Sequence, residues 1–348
     1  MLTTVIGAFP KPHYLKLTDW FKTKGGTDTA YPTILYDDEI KGLGPNTEKI
    51  FQDATKDVIN DQIECGIDII TDGEIRRENY IHYHCRHMNG INFKKLNKKT
   101  ARTGNYVCYL PTIENKITAS KEFLATEWIN NKKLSSKPIK VTIPGPLTIS
   151  DTLANNYYKS VKNMNKDIAE TINVEILRLR DAGCKYIQID EPLFARKPKE
   201  AIKFGIDNLE RCFYGCGKNI EKIVHICCGY PNKLDAKNYP KAPLKSYYEI
   251  ADSLNYANID TISFEDAHRH NNLNLLEKYK NKKIIFGLFE IANSRIETVN
   301  EINSRIKEVL NYINKERLIA APDCGLGHLP REIAKNKLKN LVLAAKLN

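Results

Sequence analysis

Eight short apolar, β-branched runs punctuate the chain: TTVIGAF (3–9), DIITDGE (68–74), IKVTIPG (139–145), YIQIDEP (186–192), KIVHICC (222–228), DTISFE (260–265), KIIFGLF (283–289) and RLIAAPDC (317–324). Each is nearly continuous in hydrophobicity, the pattern of a strand buried on both faces of a parallel sheet. Between most of them, apolar positions recur at helical spacing. NTEKIFQDATKDVINDQIEC (46–65) runs to Gly66 and MNKDIAETINVEILRLRDA (164–182) to Gly183. Glycine is the usual residue where a helix ends in a left-handed turn. A strand follows closely in both cases, as CGIDIITDGE and AGCKYIQIDEP, so the two helix–glycine–strand–acid units look like copies of one building block.

Eight strands with intervening helices predict an α/β fold, a (β/α)8 TIM barrel, over a doubly wound sheet. The GxGxxG fingerprint of the latter is missing. One interval, 75–138, is too long for a simple crossover. It holds an extended stretch, GNYVCYLPTIENKIT (104–118), and a helix, KEFLATEWINN (121–131), and reads as an insertion after strand 2 on the catalytic side. No Ser/Gly/Pro-rich linker marks a boundary, so residues 1–348 are expected to form a single catalytic TIM-barrel domain.

Composition narrows the function classes. With 42% hydrophobic and 27% charged residues the chain has material for a large core. No run of about 18 apolar residues suggests a membrane span. The N-terminus MLTTVIGAFPKPHY lacks a basic region and a cleavage site, and reads as the first strand of a cytoplasmic protein. The formal charge of +11 rests on lysines scattered in contexts such as NKKLSSK and LEKYKNKK, without RNP, basic-zipper or zinc-finger spacing. That describes a solvated surface more readily than a nucleic-acid footprint. Nine cysteines without a secretory signal argue against a disulfide framework and for metal or thiol chemistry.

In a barrel, the C-terminal ends of the strands share one mouth. The runs end in Asp72 and Glu74; Asp190 and Glu191; His225, Cys227 and Cys228; Glu265; and Asp323 and Cys324. His225 and Cys227 share a face of an extended strand and Cys228 takes the other. His225, Cys227, Glu265 and Cys324 together offer the nitrogen, two sulfurs and carboxylate that zinc accepts in tetrahedral geometry. Other readings stay open. Cysteine is among the most buried residue types, so 227–228 also reads as core filling. HYHCRH (82–87) offers a second metal candidate in His82, His84, Cys85 and His87. Cys212 and Cys216 in CFYGC suit either packing or a redox switch in a non-catalytic binding protein. Asp266, His268 and His270 read as partners of the metal ligands or as solvated residues opening a helix.

IGAFPKP, TDGEIRRENY, IPGPLTI, IQIDEPLF, HICCGYP, ISFEDAHR and APDCGLGHLPRE, in that order along the chain, resemble the catalytic half of cobalamin-independent methionine synthase. The resemblance implies a barrel, a catalytic zinc held by His225, Cys227, Glu265 and Cys324, and homocysteine as methyl acceptor. It implies substrate-binding roles for Ile6, Gly7, Ala8, Glu74 and Asp190, with Glu74 and Asp190 on the amino group and Asp190 and Glu265 as catalytic residues. Departures fall mostly on the donor side. Ala8 stands where the family usually has Ser, Thr152 where a tryptophan stacks on the pterin, Arg196 where a glutamate stands, and Ala292 where a histidine protonates the leaving folate. The N-terminal half of the long enzymes has no counterpart, so the chain resembles short single-barrel members. The implied partners are homocysteine and a methyl donor, folate or a corrinoid protein, with neither nucleic acid nor membrane and with a homodimer left open. Another zinc-dependent thiol alkyltransferase, with a coenzyme M-type acceptor served by Arg76, Arg77 and Arg196, is the alternative.

Overall fold

Hydrophobic continuity in the runs gives short parallel strands covered on both sides. The computed structural model describes residues 1–21, 30–101, 106–231, 233–236 and 239–348. Its strands are β1 (Leu2–Thr3), β2 (Met88–Ala101), β3 (Tyr106–Ala119), β4 (Lys140–Pro144), β5 (Ala154–Asn155), β6 (Tyr186–Asp190), β7 (Glu221–Ile226), β8 (Thr261–Phe264), β9 (Lys283–Gly287) and β10 (Leu318–Ala321). Seven of them form one sheet in the order β1-β10-β9-β8-β7-β6-β4, parallel throughout.

The second apolar run supplies the missing position without forming a regular strand. Parallel bridges Thr4↔Ile69 and Ile70↔Ile139 join β1 to β4 through this segment and close the α/β sheet into a TIM-type barrel. Its ladder stops early because the Gln62 side chain takes both backbone groups of Thr71, donating to its carbonyl at 2.9 Å and accepting from its N–H at 3.0 Å. Directly beyond, Gly73 and Glu74 adopt φ of 69° and 57°, which turns the chain into the mouth. A Cβ on Gly73 would lie 2.5 Å from Val58 Cγ1, so glycine is required there for space as well as conformation.

Helices flank the sheet with their apolar stripes inward. Thr47–Glu64 is followed by Gly66 at φ 88°, and Val161–Ala182 by Gly183 at φ 93°, the two left-handed stops legible in the sequence. Inside the barrel a small apolar cluster of Ile6, Ile223, Ile285, Ile319 and Ala321 closes the floor. Above it the interior turns polar, beginning with Lys140 and Gln188.

Residues 75–138 contain helix Tyr80–Arg86, the antiparallel hairpin β2–β3 and helix Leu124–Lys132. β3 covers most of the extended stretch anticipated at 104–118, of which residues 104 and 105 lie outside the described residues. Its partner β2 had no apolar signature, because Lys94, Lys95, Asn97 and Lys98 face water. Asn79 caps helix Tyr80–Arg86, its side chain accepting from the N–H groups of Ile81 and His82. No helix among the described residues is long and apolar enough to cross a membrane.

Candidate active site

Strand pleating turns His225 into the barrel near the end of β7, with Cys227 following on the same side. Cys324 lies just past β10, and its Sγ is 3.4 Å from His225 Nε2. The donor atoms of His225, Cys227 and Cys324 all lie within 4.8 Å of one another. His225 Nδ1 is engaged by Ser263 Oγ at 2.9 Å, which leaves Nε2 for the sulfurs. Zinc–ligand distances imply an N···S separation of about 3.6 Å in a tetrahedral site, so this donor set suits zinc. The Cys227 thiol is held well below its usual range by its hydrogen bond to Cys324, against the opposing effect of burial, with His225 assisting. Cys324 is correspondingly raised by Cys227, then by burial. Cys228 points into the outer core, where burial pushes its thiol up to about 12.

Glu265 lies outside this group of three. Its Oε1 accepts from Lys241 Nζ at 2.8 Å, and both side chains are nearly buried. Burial raises the Glu265 carboxyl, Lys241 opposes that, and Cys227 adds to it, so the carboxylate lies within the field of the thiolate. The neighbouring acids are structural. Asp266 is buried and paired with Arg305 at 2.8 Å. Asp323 accepts the backbone N–H groups of Asp266, Ala267 and His268, plus His268 Nδ1 at 2.5 Å. His268 is thus enclosed, its Nε2 accepting from the Ala292 N–H at 3.2 Å, while His270 is exposed.

Two carboxylates share the cavity with the sulfurs, and Asp190 stands in register with His225 on the adjacent strand. Glu74 Oε1 accepts from Thr142 Oγ1 at 2.8 Å and Arg77 Nη1 at 3.1 Å. Asp190 Oδ1 accepts from Gln188 Nε2 at 2.7 Å, and its carboxyl is pushed up to about 7 by burial, with His225 lowering it and Glu74 raising it. Glu191 faces away, receiving the Leu147 and Thr148 N–H groups and the Thr148 hydroxyl. Gly7 is packed so closely that a Cβ would sit 2.5 Å from Glu74 Oε1. Ile6, Gly7, Ala8, Glu74, Asp190, His225, Cys227 and Cys324 line one cavity of about 310 Å³. Trp20, Tyr80 and Tyr230 wall it, with Trp20 and Tyr230 stacked at 6.2 Å between centroids. Hairpin residues Lys99, Cys108 and Leu110 and the rim residues Thr152 and Arg196 also line it.

The remaining sequence candidates lie elsewhere. His82 contacts Thr33 Oγ1 and the Thr152 carbonyl, His84 contacts the Tyr80 carbonyl, and His87 stacks on Phe123 at 4.0 Å. Among the described residues these side chains and Cys85 form no donor cluster. Cys212 and Cys216 are buried free thiols. Pattern reading passed over Thr142, Ser263, Gln188, Lys140 and Lys241, and named Arg77 only for a sulfonate, whereas it pairs with Glu74. Gln188 and Ser263 each stand two residues before a named acid, so strand periodicity marks them. Lys241 sits in a loop where no pattern does.

A closed parallel barrel whose cavity is lined by an imidazole, two thiols and two carboxylates defines the class, an enzyme built around sulfur. The family model described as cobalamin-independent synthase, catalytic domain, matches residues 1–347. Methionine synthase of Sulfolobus acidocaldarius is 30% identical over 342 residues, covering 98% of this chain and 90% of that protein. That of Saccharolobus solfataricus is 30% identical over 349 residues, covering 99% and 94%. The solved B12-independent methionine synthase from Shewanella sp. W3-18-1, in complex with selenomethionine, superposes with a TM-score of 0.83 at 30% identity, covering 99% of this chain and 96% of that one. The chain belongs to the cobalamin-independent methionine synthase family, and it is a methyltransferase.

The depressed Cys227 thiol makes a chemical test. Iodoacetamide at pH 7 should label Cys227 ahead of Cys65, Cys184 and Cys228, whose thiols burial pushes up to about 11, 12 and 12. Labelling should persist as pH falls below the ordinary thiol range, and prior zinc should protect it, as read by peptide mass spectrometry.

Proposed function

We propose that the chain is a zinc-dependent methyltransferase that moves a methyl group to the thiol of homocysteine, giving methionine. The observation that carries this reading is one cavity lined by His225, Cys227 and Cys324, whose donor atoms cluster, and by Glu74 and Asp190. His225, Cys227 and Cys324 would hold zinc, with Glu265 as the fourth, exchangeable ligand once released from Lys241. Bound zinc supplies deprotonation of the acceptor thiol, which is mostly protonated at neutral pH with its ordinary pKa of about 8.5.

The chain's own residues do the rest. Glu74 and Asp190 receive the amino acid's ammonium, where low local dielectric strengthens the attraction. That fixes which end of the substrate reaches the sulfurs. The Ile6–Ala8 segment presents backbone to the carboxylate, without the hydroxyl that Ser in place of Ala8 would add. The aromatic wall of Trp20, Tyr80 and Tyr230 limits water around the sulfur. The sulfur–methyl bond forms as the donor–methyl bond breaks, the thiol proton having left beforehand.

The acceptor is an amino-acid thiol on this reading. Of the three arginines that could serve a sulfonate-bearing thiol, Arg76 is paired with Glu48 and Arg77 with Glu74, which leaves Arg196 on the cavity lining. On the donor side, Thr152 and Arg196 stand at the cavity rim in place of the folate-contacting tryptophan and glutamate. The donor is therefore bound differently from the folate of the long enzymes, and a methyl-corrinoid carried by a protein is the second donor to compare.

Zinc-loaded enzyme with homocysteine should form methionine from at least one of methyl-folates of different glutamate length, methylcobalamin or a methylated corrinoid protein. No product with any of them would overturn the assignment. Cys324→Ser should lose zinc on dialysis and all activity, and full metal content with full activity would refute its role as ligand. Glu74→Gln should weaken homocysteine binding about tenfold or more, the loss expected for one charged hydrogen bond, with zinc content unchanged when both are measured in one preparation.

A further inference from the structure

Lys140 is a charged side chain at the centre of the barrel, 1% exposed, that none of the chemistry above uses. β4 alternation turns it inward, directly below the carboxylate pair. Its Nζ donates to the Val5 carbonyl and to Gln188 Oε1, both at 2.6 Å. Gln188, fully buried, passes the contact on: its Nε2 donates to the Ile6 carbonyl at 3.0 Å and to Asp190 Oδ1 at 2.7 Å. The orientation of that amide is dictated by its neighbours, because the Ile6 carbonyl only accepts and the Nε2 end must face it. Oε1 is then a buried acceptor, and Lys140 is the donor that satisfies it.

A lysine in such a place is costly as packing alone. Burying an ammonium is expensive unless it is compensated, and an apolar side chain of similar length usually serves a core as well or better. Among the described residues the partners of Nζ are a carbonyl and a carboxamide, not a carboxylate. Burial lowers Lys140 to about 7, and the groups that pull it back up are Asp190 and Glu74. The lysine and Asp190 are therefore linked through one carboxamide.

We propose that Lys140 is a positioning residue for the acceptor amino acid: through Gln188 it aims the Asp190 carboxylate at the substrate ammonium. The inference rests on the reading of Glu74 and Asp190 as the ammonium site. It assigns to a side chain buried beyond the cavity lining the selection of an amino-acid thiol over a plain thiol acid. Losing Lys140 strands Gln188 Oε1 without a donor, and the amide no longer holds Asp190 in register.

The test is calorimetric binding to the full-length, zinc-loaded protein, comparing L-homocysteine with 4-mercaptobutyrate, which is the same thiol acid without its amino group. Lys140→Met should retain zinc and bind 4-mercaptobutyrate as the native chain does, while homocysteine affinity falls about tenfold or more, the loss of one charge-supported hydrogen bond. Gln188→Met should show the same selective loss, and the double variant no further loss, because the two act in series. Gln188→Met carries the test alone if Lys140→Met does not fold. Equal homocysteine binding by native and variant chains overturns this inference and leaves the proposed function standing. Parallel loss of both thiols also overturns it, since that is the mark of a structural role. A native chain that binds neither thiol overturns the proposed function and this inference with it.

Discussion

Closure of the sheet through Ile69 and Ile70 is the constraint on which the site depends. His225 and Cys324 lie 99 positions apart in the chain, yet their donor atoms approach to 3.4 Å. They meet because β7 and β10 are strands of one parallel barrel whose C-terminal ends share a mouth. An open sheet would spread those ends along a line. The closing link is only two bridges wide, and it leaves the chain beyond Thr71 free to make the turn that delivers Glu74. Brevity of the strand and delivery of the carboxylate are two results of one local arrangement, set by the Gln62 amide.

Within that frame, the site is a problem of enclosed charge. Glu74, Asp190, Glu191, Glu265, Asp266 and Asp323 are all buried at or near the same rim. Buried carboxylates of one sign raise one another's pKa unless each has a partner. Glu74 has Arg77, Glu265 has Lys241, Asp266 has Arg305, Asp323 has His268 and three backbone amides, and Glu191 has the start of helix Pro146–Asp151. Among the described residues Asp190 has a single side-chain donor, the neutral Gln188, and burial pushes its carboxyl up to about 7. Lining the cavity, it is placed to gain from an incoming cation.

The barrel was legible in the chain because parallel strands carry a strong signature: continuous apolar runs, left-handed glycine stops at 66 and 183, and acids clustered where the runs end. Strand pairing in the hairpin was half legible. β3 carries YVCYLPTI, whereas β2 carries FKKLNKKT and pairs through backbone groups that no side-chain pattern announces. Strand-end reading placed His225, Cys227 and Cys324 at the mouth, since which residues follow a strand is a local property. Side-chain partnerships are not local. The Lys241 contact to Glu265 comes from a loop, and His268, readable as solvated, is enclosed because Asp323 from another strand end binds it. Lys140 escaped notice for a related reason. A lone lysine in a strand reads as a surface residue until the pleat is known.

The aromatic wall has an optical consequence. The chain contains two tryptophans. Trp128 is packed away, its indole N–H bonded to the Ile139 carbonyl at 3.1 Å, so its emission is a constant background. Trp20 stands on the cavity wall beside Tyr230, where an arriving ligand changes the polarity around the indole. The protein thus carries its own fluorophore at the entrance to its chemistry, and occupancy can be followed in solution without a label.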